Sequence, residues 1–264
     1  MTSTEVEGVP VQRKKLSVRT TRLLLLAALL IGWEIIGRVL GRMFLPPPSS
    51  IVSAAVDLVS TGVIVDATAF SLMVFFSGYG LAILIALPLS LLMGRFKRIG
   101  DTLDVYLDIF NAMPRLALIP LIIVWFGLGF QAKMVMVFLV AVFPIIIATY
   151  AGVSNVDKGL MEAGRAFGSK ESQLFTMVML PASVPYIIAG LRLGAARGIL
   201  GIIMAEFFTA ATGLGGLIIT YGNTFQVEKF FVAIVVLAGF GASMSETLKR
   251  LEKYFAPWRT SLQV

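Results

Sequence analysis

The sequence has no cysteine and no histidine among its 264 residues, and only 14% of them are charged. The first two absences remove disulfides, thiol nucleophiles, Cys/His metal sites and every Ser-His-Asp arrangement, while leaving the redox compartment open. The shortage of charge excludes an ordinary soluble domain, in which roughly 25% of residues are charged. What is abundant is apolar: 58% of the residues are hydrophobic and the mean hydropathy is +0.90. One core cannot hide that excess, so most of the surface must face a lipid bilayer. The net charge of +7 would suggest nucleic acid in a soluble protein. In a membrane chain it records the bias of Lys and Arg toward the cytoplasmic side, and no nucleic-acid partner is expected.

A spanning helix needs about 20 mostly apolar residues. Six stretches meet or approach that length, at about 23–40, 69–93, 103–126, 134–150, 187–208 and 230–248, so the expected fold is all-α and polytopic. The first follows a basic tail, 1–22, that holds Arg13, Lys14, Lys15, Arg19 and Arg22. It is too long for the apolar region of a signal peptide and lacks a small-residue cleavage site, so it reads as a retained anchor. Basic residues in short loops set the orientation. With the amino terminus inside, the tail, Arg95, Lys97 and Arg98, Lys158, Arg165 and Lys170, and Lys249, Arg250, Lys253 and Arg259 lie on the cytoplasmic side. Only Arg38, Arg42, Lys133 and Lys229 lie outside, so both termini are expected in the cytoplasm.

Two segments outside the spans have shape of their own. After Pro46-Pro47-Pro48, Ser49 or Ser50 can cap a helix whose apolar residues Ile51, Ala54, Ala55, Leu58 and Val59 share one face, which predicts an amphipathic helix on the outer surface. The loop 152–185 is the longest polar insertion on the cytoplasmic side, and its length suggests a function. Asp157 can cap a first short helix with Leu160, Ala163, Gly164 and Phe167 along one face. Gly168 suits the left-handed position that ends it, and Ser169 can cap a second helix that stops at Leu180-Pro181. Such a helix-turn-helix is shaped either to dock into a partner or to serve as an ordered connector.

Glu162-Ala163-Gly164, then Gly168, then Leu180-Pro181, resembles the EAA loop of bacterial ABC importer permeases, in which an EAA triplet is followed by Gly and, nine residues on, by I-x-L-P. Gly164 replaces the second Ala, and Val178 stands where Ile is usual. Trp33-Glu34, Leu45-Pro46-Pro47-Pro48, Pro114 to Pro120 with Trp125-Phe126-Gly127, Gly190-Leu191-Arg192, Ala205-Glu206 and Gly213-Leu214-Gly215 extend the likeness to the nitrate, taurine and aliphatic sulfonate branch. The resemblance implies a type I ABC importer permease fold in a bacterial inner membrane. It also implies a coupling loop, Glu162 through Phe175, seated on a cytoplasmic ABC ATPase dimer, a second permease chain completing the pore, and an external solute-binding protein. ATP and Mg would belong to the ATPase, with no cofactor on this chain. The sequence agrees about the missing engine: the nearest imitation of a phosphate-binding loop, Gly164 to Lys170, places Ser169 before Lys170 and Glu171 after it.

An ionisable group inside a span costs about 2.5 to 3.5 kcal/mol on insertion scales, so each asks for a reason. Glu34 and Arg38 stand four apart, in the favourable order for a helical ion pair. Asp101, Asp104 and Asp108 read as a solvated face. In the third span Pro114 and Pro120 each free a backbone carbonyl, which is tolerated where backbone lines a cavity, and Asn111 and Arg115 sit at the first break. Either Arg115 lines the translocation path and attracts an anion, or it pairs internally with Glu206. Arg197 and Glu206 in the fifth span, with Thr209, Thr212 and the flexible Gly213 and Gly215, read as pore lining and an outer gate, or else as a tight turn with internal pairing.

The expected function is therefore one half of the membrane channel of an ATP-driven importer for a small anion such as a sulfonate, taurine or nitrate, without a catalytic site of its own. A secondary transporter is the alternative, but it would show inverted halves with paired broken helices, and none is visible. An intramembrane enzyme would need a carboxylate pair, a Ser/Lys pair or a metal set that no span presents.

Overall fold

The computed structural model describes residues 17–209 and 212–255, and among these every regular element is helical. Helix α1 (Val18–Leu40) stands apart from the rest, with only Gly37 buried. There the chain doubles back closely: a Cβ on Gly37 would stand 2.9 Å from the Leu45 carbonyl oxygen and from Pro47. Helix α2 (Pro48–Ser60) follows. Its cap is not Ser49 or Ser50 as the sequence suggested. Pro48 starts the helix, and the Glu34 carboxylate reaches across from α1 to accept from the Ser49 N–H at 3.0 Å and the Ser49 hydroxyl at 2.7 Å. Arg38 pairs with the same carboxylate at 2.7 Å, as expected. Ile51 and Leu58 are buried, whereas Val59 is exposed.

Helix α3 (Val63–Arg95) is longer than the predicted span because Val63 to Thr68 and Gly94-Arg95 continue the helix beyond it. Helix α4 (Lys97–Ala112), a 3-10 turn (Arg115–Leu118) and helix α5 (Ile119–Phe126) take the place of the third predicted span. It is not one straight helix: the two pieces meet at 77°. Met113, directly before Pro114, is extended, as the proline ring requires of its predecessor. Pro120 breaks nothing, because it is the second residue of α5, where an N–H would have no helical partner. Asp101, Asp104 and Asp108 lie exposed along α4.

Helix α6 (Phe130–Ser154) precedes the loop, which is shorter than 152–185 because helix enters it from both sides. It contains α7 (Lys158–Ala166) and α8 (Glu171–Leu174). Leu180-Pro181 does not stop the second helix. A π-helical turn (Phe175–Met179) leads into α9 (Leu180–Thr209), so Glu171 to Thr209 forms one continuous rod. Pro181 is the second residue after that wider turn. Helices α10 (Gly213–Asn223) and α11 (Val227–Phe255) are the last of the described elements. Five of these elements are long and apolar enough to cross a membrane, and the bent α4–α5 pair makes a sixth. Arg19 and Arg22 belong to α1, and Lys249, Arg250 and Lys253 to α11. Arg13, Lys14, Lys15, Trp258 and Arg259 lie outside the described residues.

The bundle is centred on α6, held between α3 and α9. Small residues set those approaches, as is usual where lipid removes the hydrophobic drive between helices. Cβ atoms added at Gly190 and Gly194 of α9 would stand 3.0 Å from Ala148 and 2.6 Å from Ile145 of α6. On the other side a Cβ at Gly78 of α3 would lie 2.7 Å from the Val137 Cβ. Phe75, fully buried, stacks with Tyr79 and meets Phe240 of α11 edge-on, with centroids 5.0 Å apart in the second pair. The Tyr79 hydroxyl donates to the Leu191 carbonyl at 2.8 Å, an interhelical bond worth about 0.5–2 kcal/mol in a membrane.

Candidate docking loop and polar translocation site

The loop between α6 and α9 folds much as its residues suggest. The Asp157 carboxylate accepts from the Leu160 N–H at 3.1 Å, capping α7. At the other end Gly168 has φ +80, its N–H donates to the Arg165 carbonyl at 2.9 Å, and the Ser169 N–H donates to the Gly164 carbonyl at 3.1 Å. Those two bonds form the Schellman arrangement, in which a residue with a Cβ is strained at the left-handed position. Ser169 does not cap α8. Lys170 holds that position, and its N–H donates to the Gln173 side chain at 2.8 Å. Arg165 bridges the two helices by pairing with Glu171 at 2.9 Å. This bond holds the Glu171 carboxyl below, and the Arg165 guanidinium above, its ordinary range.

Glu162, Ala163 and Phe167 are exposed, Phe167 to 90%. Gly164 instead faces inward against the buried Leu174 of α8, so close that a Cβ would overlap the leucine side chain. Leu180 is half-buried and Pro181 exposed at the start of α9. The guanidinium of Arg95, the last residue of α3, lies 5.2 Å from the Phe175 ring, which ties the loop to the membrane helices.

The bend after α4 carries a second cluster. The Arg115 guanidinium donates to the Asn111 carbonyl at 2.9 Å and to its side-chain oxygen at 2.6 Å, and lies 4.9 Å from the Phe143 ring. Its Nε is buried without a partner, and Arg197 is near enough to repel it. Among the described residues neither arginine meets a carboxylate. Arg115 does not pair with Glu206, the internal alternative that the sequence left open. Glu206 lies nine residues beyond Arg197 on α9, roughly 13 Å along the axis.

Glu206 belongs to a third cluster, at the end of the bundle where α2 lies. It is 1% exposed. Its carboxylate accepts from the Ser71 hydroxyl of α3 at 2.6 Å and from the Gly215 N–H of α10 at 2.7 Å, while the Ser71 oxygen accepts from the Leu214 N–H at 2.9 Å. Gly213, at φ +89, lies so close that a Cβ would overlap that carboxylate, and one at Gly215 would come within 2.7 Å of the Glu206 Cβ. Lys133 completes the cluster. Counted from the sequence as a residue of an outer loop, it is the fourth residue of α6 and fully buried. Its ammonium donates to the Thr212 hydroxyl at 2.7 Å and carbonyl at 3.2 Å, lies 4.9 Å from the Phe70 ring, and is attracted by Glu206. The available signal was a lone lysine beside an apolar run that begins one residue later.

Residues 78–254 match the family described as "Binding-protein-dependent transport system inner membrane component". A Bacillus subtilis protein named as a putative aliphatic sulfonates transport permease is 32% identical, over 91% of this chain and 88% of its own. The Escherichia coli taurine transport system permease protein is 27% identical, over 90% and 89%. Among solved structures, a chain of the methionine ABC transporter in inward-facing conformations superposes with a TM-score of 0.64 at 21% identity, over 73% of this chain and 95% of that one, and so shares the type I importer permease fold. With its apolar helices and the match across most of its length, the chain belongs to the inner-membrane components of binding-protein-dependent transport systems, as a permease subunit of an ABC importer.

Proposed function

We propose that this chain forms one half of a pathway that carries a small organic anion, a sulfonate or a close relative, into the cytoplasm. Both termini and the α7–α8 loop face inward. A second copy completes the pore, and a solute-binding protein delivers the anion from outside. An ATPase dimer, which holds the ATP and Mg, receives Glu162, Ala163 and Phe167 on its surface. This chain binds no cofactor and breaks no bond; it contributes a path and transmits motion.

The observation that carries the reading is the uncompensated pair of arginines at the bend of the third span. A buried guanidinium atom with no partner, beside a second cation and no carboxylate, is costly unless a negative solute passes. The names of the sulfonate and taurine relatives support the same solute class. Closure of the ATPase would draw the docked loops together, and the continuous rod from Glu171 to Thr209 would carry that displacement to the far end of the bundle.

The test is to purify the chain with its ATPase and binding protein, identify the ligand retained by the binding protein by mass spectrometry, and measure ATP hydrolysis with and without it. An anionic ligand that stimulates hydrolysis is expected. A cationic or apolar ligand would overturn the solute class. Gly168→Asp, which strains the helix end, should lose the stimulation; full retention would overturn the docking role.

A further inference from the structure

We infer that Lys133 and Glu206 are a positioning pair that seats α10 as the outer seal of the pathway. This rests on the orientation and pore just proposed. Helix α10 has 11 residues, about 16 Å of helix, too short to cross a bilayer. It enters the bundle beside α2 and turns back into α11. Its second and third N–H groups, from Leu214 and Gly215, would be orphan donors in any helix. Here they end on Ser71 of α3 and Glu206 of α9. The residue ahead of α10, Thr212, is held through both its carbonyl and its hydroxyl by Lys133 of α6. Both charges thus act on the same short stretch, Thr212 to Gly215, and they bring three spanning helices to it.

The two charges do not form a direct ion pair. Lys133 is satisfied by Thr212, and Glu206 by Gly215 as well as by Ser71 of α3, so each loses a partner if α10 moves away. Loss of one partner leaves a buried ionised group, which makes the arrangement two-state rather than gradual. Directly beside the pair the bundle is closed. The void bounded by Ile119, Ile122, Met136, Lys133, Ala205 and Thr209 measures about 10 Å³, room for at most a single water. Within this chain that space is too small for an organic anion. Departure of α10 from its seat breaks the contacts of Lys133 to Thr212 and of Glu206 to Gly215 together, and that departure unseals the outer end.

The absence of cysteine makes the test direct. Ala205→Cys, whose thiol lines that void, is introduced into the full chain with its ATPase and binding protein in membrane vesicles. Its reaction with a membrane-impermeant maleimide is timed from each face in the absence of nucleotide. Slow labelling is expected with the pair intact. Lys133→Met should accelerate it roughly tenfold, and Thr212→Val, which removes only one acceptor, by a smaller factor. Val153→Cys, buried at the opposite end of α6, is the control and should stay slow in both variants. Equal rates with and without the substitutions would overturn the inference. So would acceleration of the Val153→Cys control alongside Ala205→Cys, which would mark general loosening. If Lys133→Met fails to assemble, Thr212→Val alone decides, because Thr212 is exposed and its replacement leaves both charges in place. Neither outcome depends on which solute is carried, and the face from which labelling rises tests the orientation separately.

Discussion

Gly164 of α7 and Leu174 of α8 share a space that admits one side chain: a Cβ on the glycine would overlap the leucine, which is 1% exposed. The family pattern has alanine at this position, and the departure here is matched by the closeness of the second helix. Gly164→Ala should be nearly neutral, since about 1 kcal/mol of helix propensity offsets a displaced leucine rotamer. Gly164→Val adds a branched group and should destabilise the loop by about 2 kcal/mol. Hydrogen exchange of the 158–174 amides would then quicken roughly thirtyfold in the valine variant. Unchanged exchange would show that the two helices are not held together at this contact.

Glu34 joins α1 to α2, beside the close approach of Gly37 to Pro47 and the packing of Trp33 on the cluster that holds Ile51 and Leu58. Glu34→Ala removes the acceptor of the Ser49 N–H, the equivalent of losing a helix cap, and should cost about 1 kcal/mol. The effect should appear as faster proteolysis between Gly41 and Ser50 in vesicles, with the remaining spans unaffected. Glu34→Gln, which can still accept from Ser49, should show a smaller change.

How much of this is legible in the sequence depends on whether the cause is local. The Asp157 cap, the Gly168 turn and the Glu34–Arg38 pair each rest on side chains within about one helical turn, and all three appear as the residue spacing implies. The break at Pro114 is also readable, because proline constrains its own neighbours; the 77° between the pieces is not, since no local rule fixes that angle. Lys133 shows the limit most clearly. A window of apolar residues begins at Met134, which puts the lysine in a loop, and only the position of Thr212, 79 residues away, reveals that it is buried. Leu180-Pro181 misleads for a related reason: proline reads as a stop, but a wider helical turn ahead of it lets the rod continue.

The Arg165–Glu171 bond predicts a pH dependence for the docking loop. The Glu171 carboxyl is held below its ordinary range by the hydrogen bond from Arg165, so the bond stabilises the folded loop above that range and its contribution disappears as pH falls through the folded value. Arg165 stays charged throughout and contributes no transition of its own. Loop exchange rates, each divided by the intrinsic rate of the free amide at the same pH, should be level near neutrality and rise under acid conditions. In Glu171→Gln they should start higher and lack this acid component. A wild-type profile that matches the variant across the acid range would remove the pair from any part in ordering the loop.

Arg115 and Arg197 give the sharpest separation between a conducting and a scaffolding role. If their charge attracts the solute, Arg115→Lys should keep most uptake, because an ammonium still supplies the field. Arg115→Leu should raise the half-saturating concentration about tenfold, equivalent to ~1.4 kcal/mol. If Arg115 only braces the bend through its two bonds to Asn111, lysine should fail nearly as badly as leucine, since it lacks the planar fork. Arg197, exposed and without such bonds, should follow the charge rule in either case. Replacing both arginines should also weaken the dependence of uptake on ionic strength, because two cations that act through space are screened by salt, whereas a hydrogen-bonded brace is not. Uptake measured in vesicles at low and high salt across the single and double variants therefore distinguishes the two roles without knowledge of the solute's exact structure.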